Sequence, residues 1–163
     1  PMERRDKINY YLDIAEAVTG RGTCLRRNFG AVIVKNDTII STGYVGAPRG
    51  RANCNELGYC TREKLQVPRG ERYELCRSVH AEANAIISAA RRDMIGATPY
   101  LVGREAKSGE LIRAGSCTMC KRQIINAGIS TVIVRDTRND FHSTKVFDEW
   151  VVNDESLEGI RGY

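Results

Sequence analysis

The sequence lacks several features that would place it in a membrane, secreted or repeat class. Its 163 residues contain no apolar run near the roughly 18 residues that a membrane-spanning helix needs. The first stretch, "PMERRDKINYYLDIAEAV", is charged from the outset and is unlike a secretory signal. No internal repeat and no low-complexity tract is present. We therefore expect one soluble domain over residues 1–163, located in the cytoplasm.

The sequence also lacks any block of lysine and arginine, although its net charge is +5 and its pI is about 9.0. A basic balance favours anionic partners such as nucleotides, or it reflects only a solvated basic surface. The basic residues occur in scattered pairs, and no RNA-binding signature is present. A nucleic-acid partner is therefore not expected.

Apolar spacing predicts helices alternating with buried strands. This order indicates an α/β fold, a three-layer α/β/α sandwich with a mixed central sheet. Ser78 is the predicted N-cap of the second helix, and Gly128 is expected to close the third. The predicted helices cover 6–19, 78–93, 116–128 and 143–153, and the strands form a hairpin over 29–44 and two further segments at 98–103 and 130–135.

A long segment at residues 45–77 shows no clean periodicity and is rich in glycine, arginine and proline. It contains three of the six cysteines of the chain. A loop of this length in a compact domain needs a functional or stabilising reason. Because disulfides are rare in the cytosol, several cysteines there indicate metal binding or catalysis.

The stretch "SVHAEANAII" and the later "SCTMC" together predict a metal centre. His80, Cys117 and Cys120 match the three protein ligands of a catalytic zinc, which leaves the fourth position to water. Cys117 and Cys120 are one helical turn apart at a helix start, where thiolates are favoured. Glu82 is then placed to take a proton from the zinc-bound water and pass it to a substrate nitrogen.

Each of these features has an ordinary explanation when it stands alone. A lone histidine is usually structural, Cys-x-x-Cys also occurs in redox and structural sites, and Glu82 could simply favour the first turn of its helix. The combination of His-x-Glu with Cys-x-x-Cys is nevertheless the signature of zinc nucleobase deaminases. The metal centre requires that the two helix starts meet in space.

In these motifs, and in "FGAVIVKNDTIISTGYVGAPRG", the sequence resembles the deoxycytidylate (dCMP) deaminase family of the cytidine deaminase-like superfamily, over roughly residues 5–135. The resemblance implies a five-stranded mixed sheet, so a fifth strand is expected after Arg135. It implies hydrolytic deamination of dCMP to dUMP and ammonia, which supplies dUMP for thymidylate synthesis. It also implies a homo-oligomer, often a hexamer, regulated by dCTP and dTTP with Mg²⁺.

Carried over by this resemblance, His80, Cys117 and Cys120 become the catalytic zinc ligands and Glu82 the proton shuttle. The sequence departs from the family in two places. Ser116 stands where the family usually has proline, and as a good N-cap it should preserve the helix start. Val45 replaces a nucleotide-binding asparagine, and it cannot make that hydrogen bond. The excursion at 104–114 is also longer than the family leads us to expect.

The remaining four cysteines suggest a second, structural zinc site, which some dCMP deaminases carry. Four thiolates make a closed tetrahedral site that would hold the polar segment in order. The alternative is that one or two are buried free thiols. The residues concerned are Cys24, Cys54, Cys60 and Cys76.

A nucleotide monophosphate needs cationic or N–H donors for its phosphate. Arginines and a glycine-containing loop flank the expected site, although each arginine could equally be solvated on a basic surface. The candidate substrate-binding residues are Arg26, Arg27, Tyr44, Gly46 and Arg49.

Three alternative functions stay open at the level of sequence. The first is a zinc deaminase acting on dCTP, CMP or a modified cytosine nucleotide, which Val45 keeps in consideration. The second is a non-catalytic nucleotide-binding regulator on the same scaffold, which the presence of Glu82 disfavours. The third is a zinc-stabilised interaction module, disfavoured because structural zinc usually takes four protein ligands.

Overall fold

The computed structural model describes residues 3–154. The helices are α1 (Lys7–Thr19), α2 (Cys54–Leu57), α3 (Thr61–Lys64), α4 (Ala81–Ile87), α5 (Arg91–Met94) and α6 (Thr118–Asn126). The strands are β1 (Arg27–Lys35), β2 (Thr38–Tyr44), β3 (Thr98–Glu105), β4 (Leu111–Ile112), β5 (Thr131–Arg135) and β6 (Phe141–Lys145). A 3₁₀ turn spans Tyr73–Leu75 and a π-helical turn spans Phe147–Val151.

Five strands form one mixed sheet in the order β2-β1-β3-β5-β6, and the short β4 pairs with β3. Strands β3 and β5 are parallel, and the other pairs are antiparallel. The predicted hairpin forms between β1 and β2, where Asn36 and Asp37 take φ of 51° and 59°. Positive φ at both turn residues matches the right-handed twist of the flanking strands.

Helices cover both faces of the sheet, which confirms the three-layer α/β/α prediction. Residues alternate along β1, so that Val32 and Val34 pack towards α1 while Ala31 and Ile33 pack towards the opposite layer. Trp150 joins that opposite layer with side chains from α4 and α6. No helix in the described range 3–154 has the length and apolar character needed to cross a membrane.

Two helix predictions were wrong in their bounds. The second helix begins at Ala81 with His80 as its N-cap, rather than at Ser78, and ends at Ile87 before the separate turn of α5. The cause is a β-bridge between Val79 and Gly46, which keeps the backbone extended up to His80. The third helix likewise has Cys117 as its N-cap in place of Ser116, because the Cys117 sulfur accepts the N–H of Cys120.

The last helix was predicted over 143–153, and its first part is a strand. Residues 143–145 belong to β6, which pairs with β5 from Thr131 opposite Lys145 to Arg135 opposite Phe141. This is the fifth strand expected after Arg135. Backbone pairing to a buried strand outweighs the helical spacing of Val146 and Trp150, so only the short π-helical turn follows.

The 45–77 segment is ordered by three single turns, namely α2, α3 and the 3₁₀ turn. The 104–114 excursion is the end of β3, a tight turn at residues 106–108, and β4. Gly109 has φ of 73°, which glycine adopts without steric cost, and its N–H donates to the Glu105 carbonyl.

Candidate metal centre and its cavities

The start of α4 is fixed by contact with the sheet. Gly43 on β2 lies so close to α4 that an added Cβ would stand 2.3 Å from the Ala81 carbonyl oxygen. The Val79 N–H donates to the Gly46 carbonyl at 2.7 Å, immediately before His80. Asn84 adds a side-chain bond to the Tyr44 carbonyl at 2.8 Å. These contacts hold the His80 end of α4 against the sheet.

The N-terminal ends of α4 and α6 meet, and they bring three metal-ligating side chains together. The ligand atoms of His80, Cys117 and Cys120 lie within 4.8 Å of one another. The His80 Nδ1 atom is 3.3 Å from the Cys117 sulfur and 3.4 Å from the Cys120 sulfur. Two ligands of one tetrahedral zinc are separated by about 3.5 Å, given the usual Zn–N and Zn–S bond lengths. One imidazole and two thiols at this spacing therefore fit zinc.

Hydrogen bonds among the three ligand groups shift their pKa values in opposite directions. The hydrogen bond with Cys120 lowers the pKa of Cys117 to about 4, while the same bond raises the pKa of Cys120. Burial opposes protonation of His80, but hydrogen bonds to Cys117 and Cys76 outweigh it and raise its pKa to about 10. The protein without metal thus holds an imidazolium beside a thiolate, and a divalent cation can replace the protons.

Glu82 lies in the first turn of α4 with its side chain buried. Desolvation by this burial raises the pKa of its carboxyl above the ordinary value. Within the described residues, Glu82 does not belong to the cluster of three ligand atoms. Glu82 nevertheless lies beside the cluster, close enough to raise the pKa of the Cys120 thiol.

Ser116 is buried next to this centre, and its hydroxyl lies beside the Glu82 carboxyl, where it partly offsets the effect of burial on the pKa of that group. It does not cap α6, since Cys117 has that position. The substitution of serine for the usual proline therefore leaves the helix start intact by a different contact than the one expected.

A cavity beside His80 collects the four other cysteines. Cys24, Cys54, Cys60 and Cys76 all line it, and Cys54 and Cys60 are buried. Among the described residues, these four sulfurs do not form a group as tightly spaced as the ligand atoms of His80, Cys117 and Cys120. The thiols are therefore neighbours on one cavity wall.

Arg26 and Arg27 line the same cavity as His80. Both are paired with carboxylates, Arg26 with Glu63 at 3.0 Å and Arg27 with Glu105 at 3.3 Å. These two candidate substrate-binding residues therefore share a cavity with His80, and carboxylates partly neutralise their charges.

The other three candidates, Tyr44, Gly46 and Arg49, line a second cavity to which His80 does not contribute. Gly46 pairs through its backbone with Val79, and the Arg21 guanidinium lies 5.8 Å from the Tyr44 ring centroid. The structure therefore does not bring these three residues together with Arg26 and Arg27. Val45 is buried and faces the His80 cavity.

Two residues of the His80 cavity were not predicted from the sequence. Arg62 is buried on α3, and its guanidinium lies 4.2 Å from the ring centroid of Tyr73. Tyr73 in turn meets the His80 ring edge-on, with centroids 5.2 Å apart. Both residues come from the 45–77 segment. This segment has several arginines and no apolar periodicity, so its sequence does not indicate which arginine is buried.

An α/β sandwich with one histidine and two cysteines gathered at two helix starts defines the class of zinc-dependent deaminases. The family model described as the cytidine and deoxycytidylate deaminase zinc-binding region matches residues 5–136, and the chain belongs to this family. The chain is thus a member of a zinc-binding enzyme family.

Several relatives carry the name deoxycytidylate deaminase. The protein of Mycobacterium phage D29 is 39% identical over 137 residues, which covers 81% of this chain and 96% of the relative. The Schizosaccharomyces pombe protein is 31% identical over 139 residues, covering 85% of this chain but only 40% of that longer relative.

Solved structures show the same fold. The dCMP deaminase of cyanophage S-TIM5 in its apo form superposes with a TM-score of 0.58 at 23% identity, covering 84% of this chain and 88% of that one. Cytidine deaminase from Burkholderia pseudomallei gives 0.56 at 18% identity, covering 85% and 92%.

Proposed function

We propose that this protein is a zinc-dependent deoxycytidylate deaminase, which hydrolyses dCMP to dUMP and ammonia and supplies dUMP for thymidylate synthesis. The observation that carries the proposal is the convergence of His80, Cys117 and Cys120 beside the buried carboxyl of Glu82. The phage relative of the same length range, named deoxycytidylate deaminase, supports dCMP as the substrate.

In this proposal His80 Nδ1 and the sulfurs of Cys117 and Cys120 hold the catalytic zinc. The bound zinc supplies Lewis-acid activation of water near neutral pH. The thiolate character of Cys117, which comes from its hydrogen bond with Cys120, makes it a ready ligand. The three side chains come from two helix starts, and contacts with the sheet hold the start of α4 in place.

Glu82 has the role of general base and acid. It takes a proton from the attacking water, delivers it to ring N3 of cytosine, and then assists the departure of ammonia from C4. Burial raises the pKa of its carboxyl, which makes the carboxylate a stronger base towards the attacking water. Because Glu82 lies in the first turn of α4, the helix backbone fixes its position relative to His80.

Several finer features belong to the same proposal. Residues 1–163 form one deaminase domain located in the cytoplasm, with a second, structural zinc held by Cys24, Cys54, Cys60 and Cys76. The lining of one cavity by all four thiols supports that second site. A homo-oligomer, six-membered in line with the family, and regulation by dCTP or dTTP with Mg²⁺ rest on the family resemblance.

The substrate contacts are proposed in two groups. Arg26 and Arg27 lie beside the metal centre and contact the nucleotide, which their place in the His80 cavity supports. The second group is Tyr44, Gly46 and Arg49. These residues contact the nucleotide from the second cavity, or they position His80 through the pairing of Gly46 with Val79. Val45 favours one alternative, a deaminase for another cytosine nucleotide, because its apolar side chain faces the His80 cavity.

The test is ammonia release by zinc-loaded protein from dCMP, CMP, dCTP and deoxycytidine, measured in parallel. We expect preference for dCMP. The matched variant Glu82→Gln keeps the shape of the side chain, so it should retain zinc while turnover falls by about 10²- to 10⁴-fold. Release mainly from another nucleotide would move the substrate assignment, and equal turnover by Glu82→Gln would refute the mechanism.

A further inference from the structure

Arg62 is a buried cation with an incomplete set of partners. Its side chain belongs to the short helix α3, yet only 6% of its surface is exposed. The Nε–H donates to the Glu71 carbonyl at 3.1 Å. In the described part of the chain, Nη2 has no hydrogen-bond partner, and no carboxylate forms an ion pair with this guanidinium. A buried charge without a counter-ion is costly unless something else supplies one.

The position of Arg62 links this charge to the metal centre. Its guanidinium stacks on Tyr73 at 4.2 Å, and Tyr73 meets the His80 ring at 5.2 Å. Arg62 and His80 line one cavity, so a molecule that fills it meets both the guanidinium and the imidazole. The Tyr73 ring lies between the Arg62 guanidinium and the His80 ring. A group bound by Arg62 is therefore remote from an atom that reacts at His80.

The other arginines of this cavity have less need of a ligand. Arg26 and Arg27 are paired with Glu63 and Glu105. Arg69 is exposed and Arg77 is half-buried, so water reaches both. Arg62 differs from them in being both desolvated and without a carboxylate.

We infer that Arg62 is the residue that selects a phosphorylated substrate, its guanidinium binding the 5′-phosphate of the pyrimidine nucleotide. This inference rests on the proposed function and deepens it. A phosphate accepts two parallel N–H bonds from a guanidinium, and it supplies the negative charge that the described neighbours of Arg62 do not. The stack on Tyr73 fixes the plane of the guanidinium, which reduces the entropy lost on binding.

The Cys76 thiol is the other candidate counter-ion for Arg62. Burial raises the pKa of Cys76, but His80 and the charge of Arg62 help to outweigh this and lower it. If the four thiols hold a second zinc, Arg62 could serve as the counter-charge of that site. Substitution of Arg62 distinguishes the two roles. Loss of a phosphate-binding residue lowers phosphate affinity, whereas loss of a counter-charge lowers the metal content.

The experiment compares binding of dUMP and deoxyuridine, which differ only in the phosphate, to zinc-loaded protein by calorimetry. The variants are Arg62→Gln and Arg62→Lys, with Arg92→Gln as a control of the same residue type, exposed and outside both cavities. We expect Arg62→Gln to weaken dUMP binding by about 10- to 100-fold, with deoxyuridine binding and zinc per chain unchanged. Arg92→Gln should match the wild type.

Three results would overturn the inference. These are unchanged dUMP affinity in Arg62→Gln, equal weakening of dUMP and deoxyuridine, and loss of zinc from the variant. If Arg62→Gln does not fold, Arg62→Lys decides the matter, because a point charge should keep the fold and still lose several-fold affinity for dUMP alone. A wild type that releases no ammonia from dCMP would refute the proposed function, whereas an active wild type with an indifferent Arg62 would refute this inference only.

Discussion

Gly43→Ala tests whether close packing of β2 on α4 holds the metal centre in shape. An added Cβ would stand 2.3 Å from the Ala81 carbonyl oxygen and 2.4 Å from the Ala85 amide nitrogen. Both are backbone atoms of α4, so no side-chain rotation can relieve the contact. The helix and the strand must separate by about 1 Å to reach an ordinary van der Waals distance.

The size of the effect follows from where α4 begins. Overpacking of this kind costs about 1–3 kcal/mol of the free energy of unfolding. His80 directly precedes Ala81, and its Nδ1 lies 3.3 Å and 3.4 Å from the two sulfurs on α6. Moving α4 by about 1 Å relative to α6 spoils the tetrahedral spacing, and a misplacement of that size can lower turnover by about 10²-fold.

The assay separates the site from the fold by measuring urea unfolding with and without excess zinc. A tenfold loss of zinc affinity reduces the stabilisation by zinc by about 1.4 kcal/mol. Gly115→Ala is the matched control, because no atom lies within 4 Å of its added Cβ although it precedes the other ligand segment. If Gly43→Ala keeps wild-type zinc stabilisation and turnover, the packing argument is wrong.

Three further predictions concern the ligands and the sheet. Cys117→Ser should lose the catalytic zinc by metal analysis, and wild-type zinc content would exclude this residue as a ligand. Arg135→Ala should lower the free energy of unfolding by about 3 kcal/mol in urea, because buried Arg135 donates to the Asn9 carbonyl at 3.2 Å and pairs with Asp13 at 2.9 Å; an unchanged midpoint would contradict this. Burial opposes but does not cancel the bonds from Arg5 and Arg135 that lower the pKa of Asp13. The stability from this carboxylate is therefore present near neutral pH and lost as pH falls through its folded pKa, so Asp13→Asn should flatten the acid limb of a stability–pH curve below about pH 4.

The parts of the fold that the sequence predicts well are those in which periodicity and capping agree. Helix α1 runs from Lys7 to Thr19 with Asp6 as N-cap, close to the predicted span. The hairpin turn at Asn36 and Asp37 has the positive φ values that its residue types favour. In both cases the local signal needs no distant contact.

The errors arise where a distant contact determines a boundary. Val79 pairs with Gly46 across 33 positions, and this bridge delays α4 until after His80. Residues 143–145 pair with β5, which no local spacing indicates. The error at Ser116 has a local cause instead, because the Cys117 sulfur accepts the N–H of Cys120 and makes Cys117 the N-cap.

The residues of the candidate site also differ in how well the sequence predicts them. His80, Cys117 and Cys120 were found because metal ligands have fixed spacings within each helix start. The substrate-binding set was harder to predict, because arginines at similar distances along the chain reach different cavities. Arg26 and Arg27 lie with His80, whereas Arg49 lines the second cavity.

The proposed metal-binding and phosphate-binding residues lie in different parts of the fold. His80 and Glu82 lie at the start of α4, which packs closely against the sheet at Gly43. Arg62 and Tyr73, by contrast, belong to short turns with few buried apolar side chains of their own.

Cys60 is the N-cap of α3, and Cys76 follows the 3₁₀ turn, so these two thiols bracket Arg62 and Tyr73. A metal held by both would close this stretch at its two ends and reduce the entropy that it loses when a nucleotide binds. On this argument, a second zinc would act on phosphate selectivity as well as on stability. Substitution of Cys60 should then weaken dUMP binding more than deoxyuridine binding, although Cys60 contacts neither the reacting ring nor the zinc at His80.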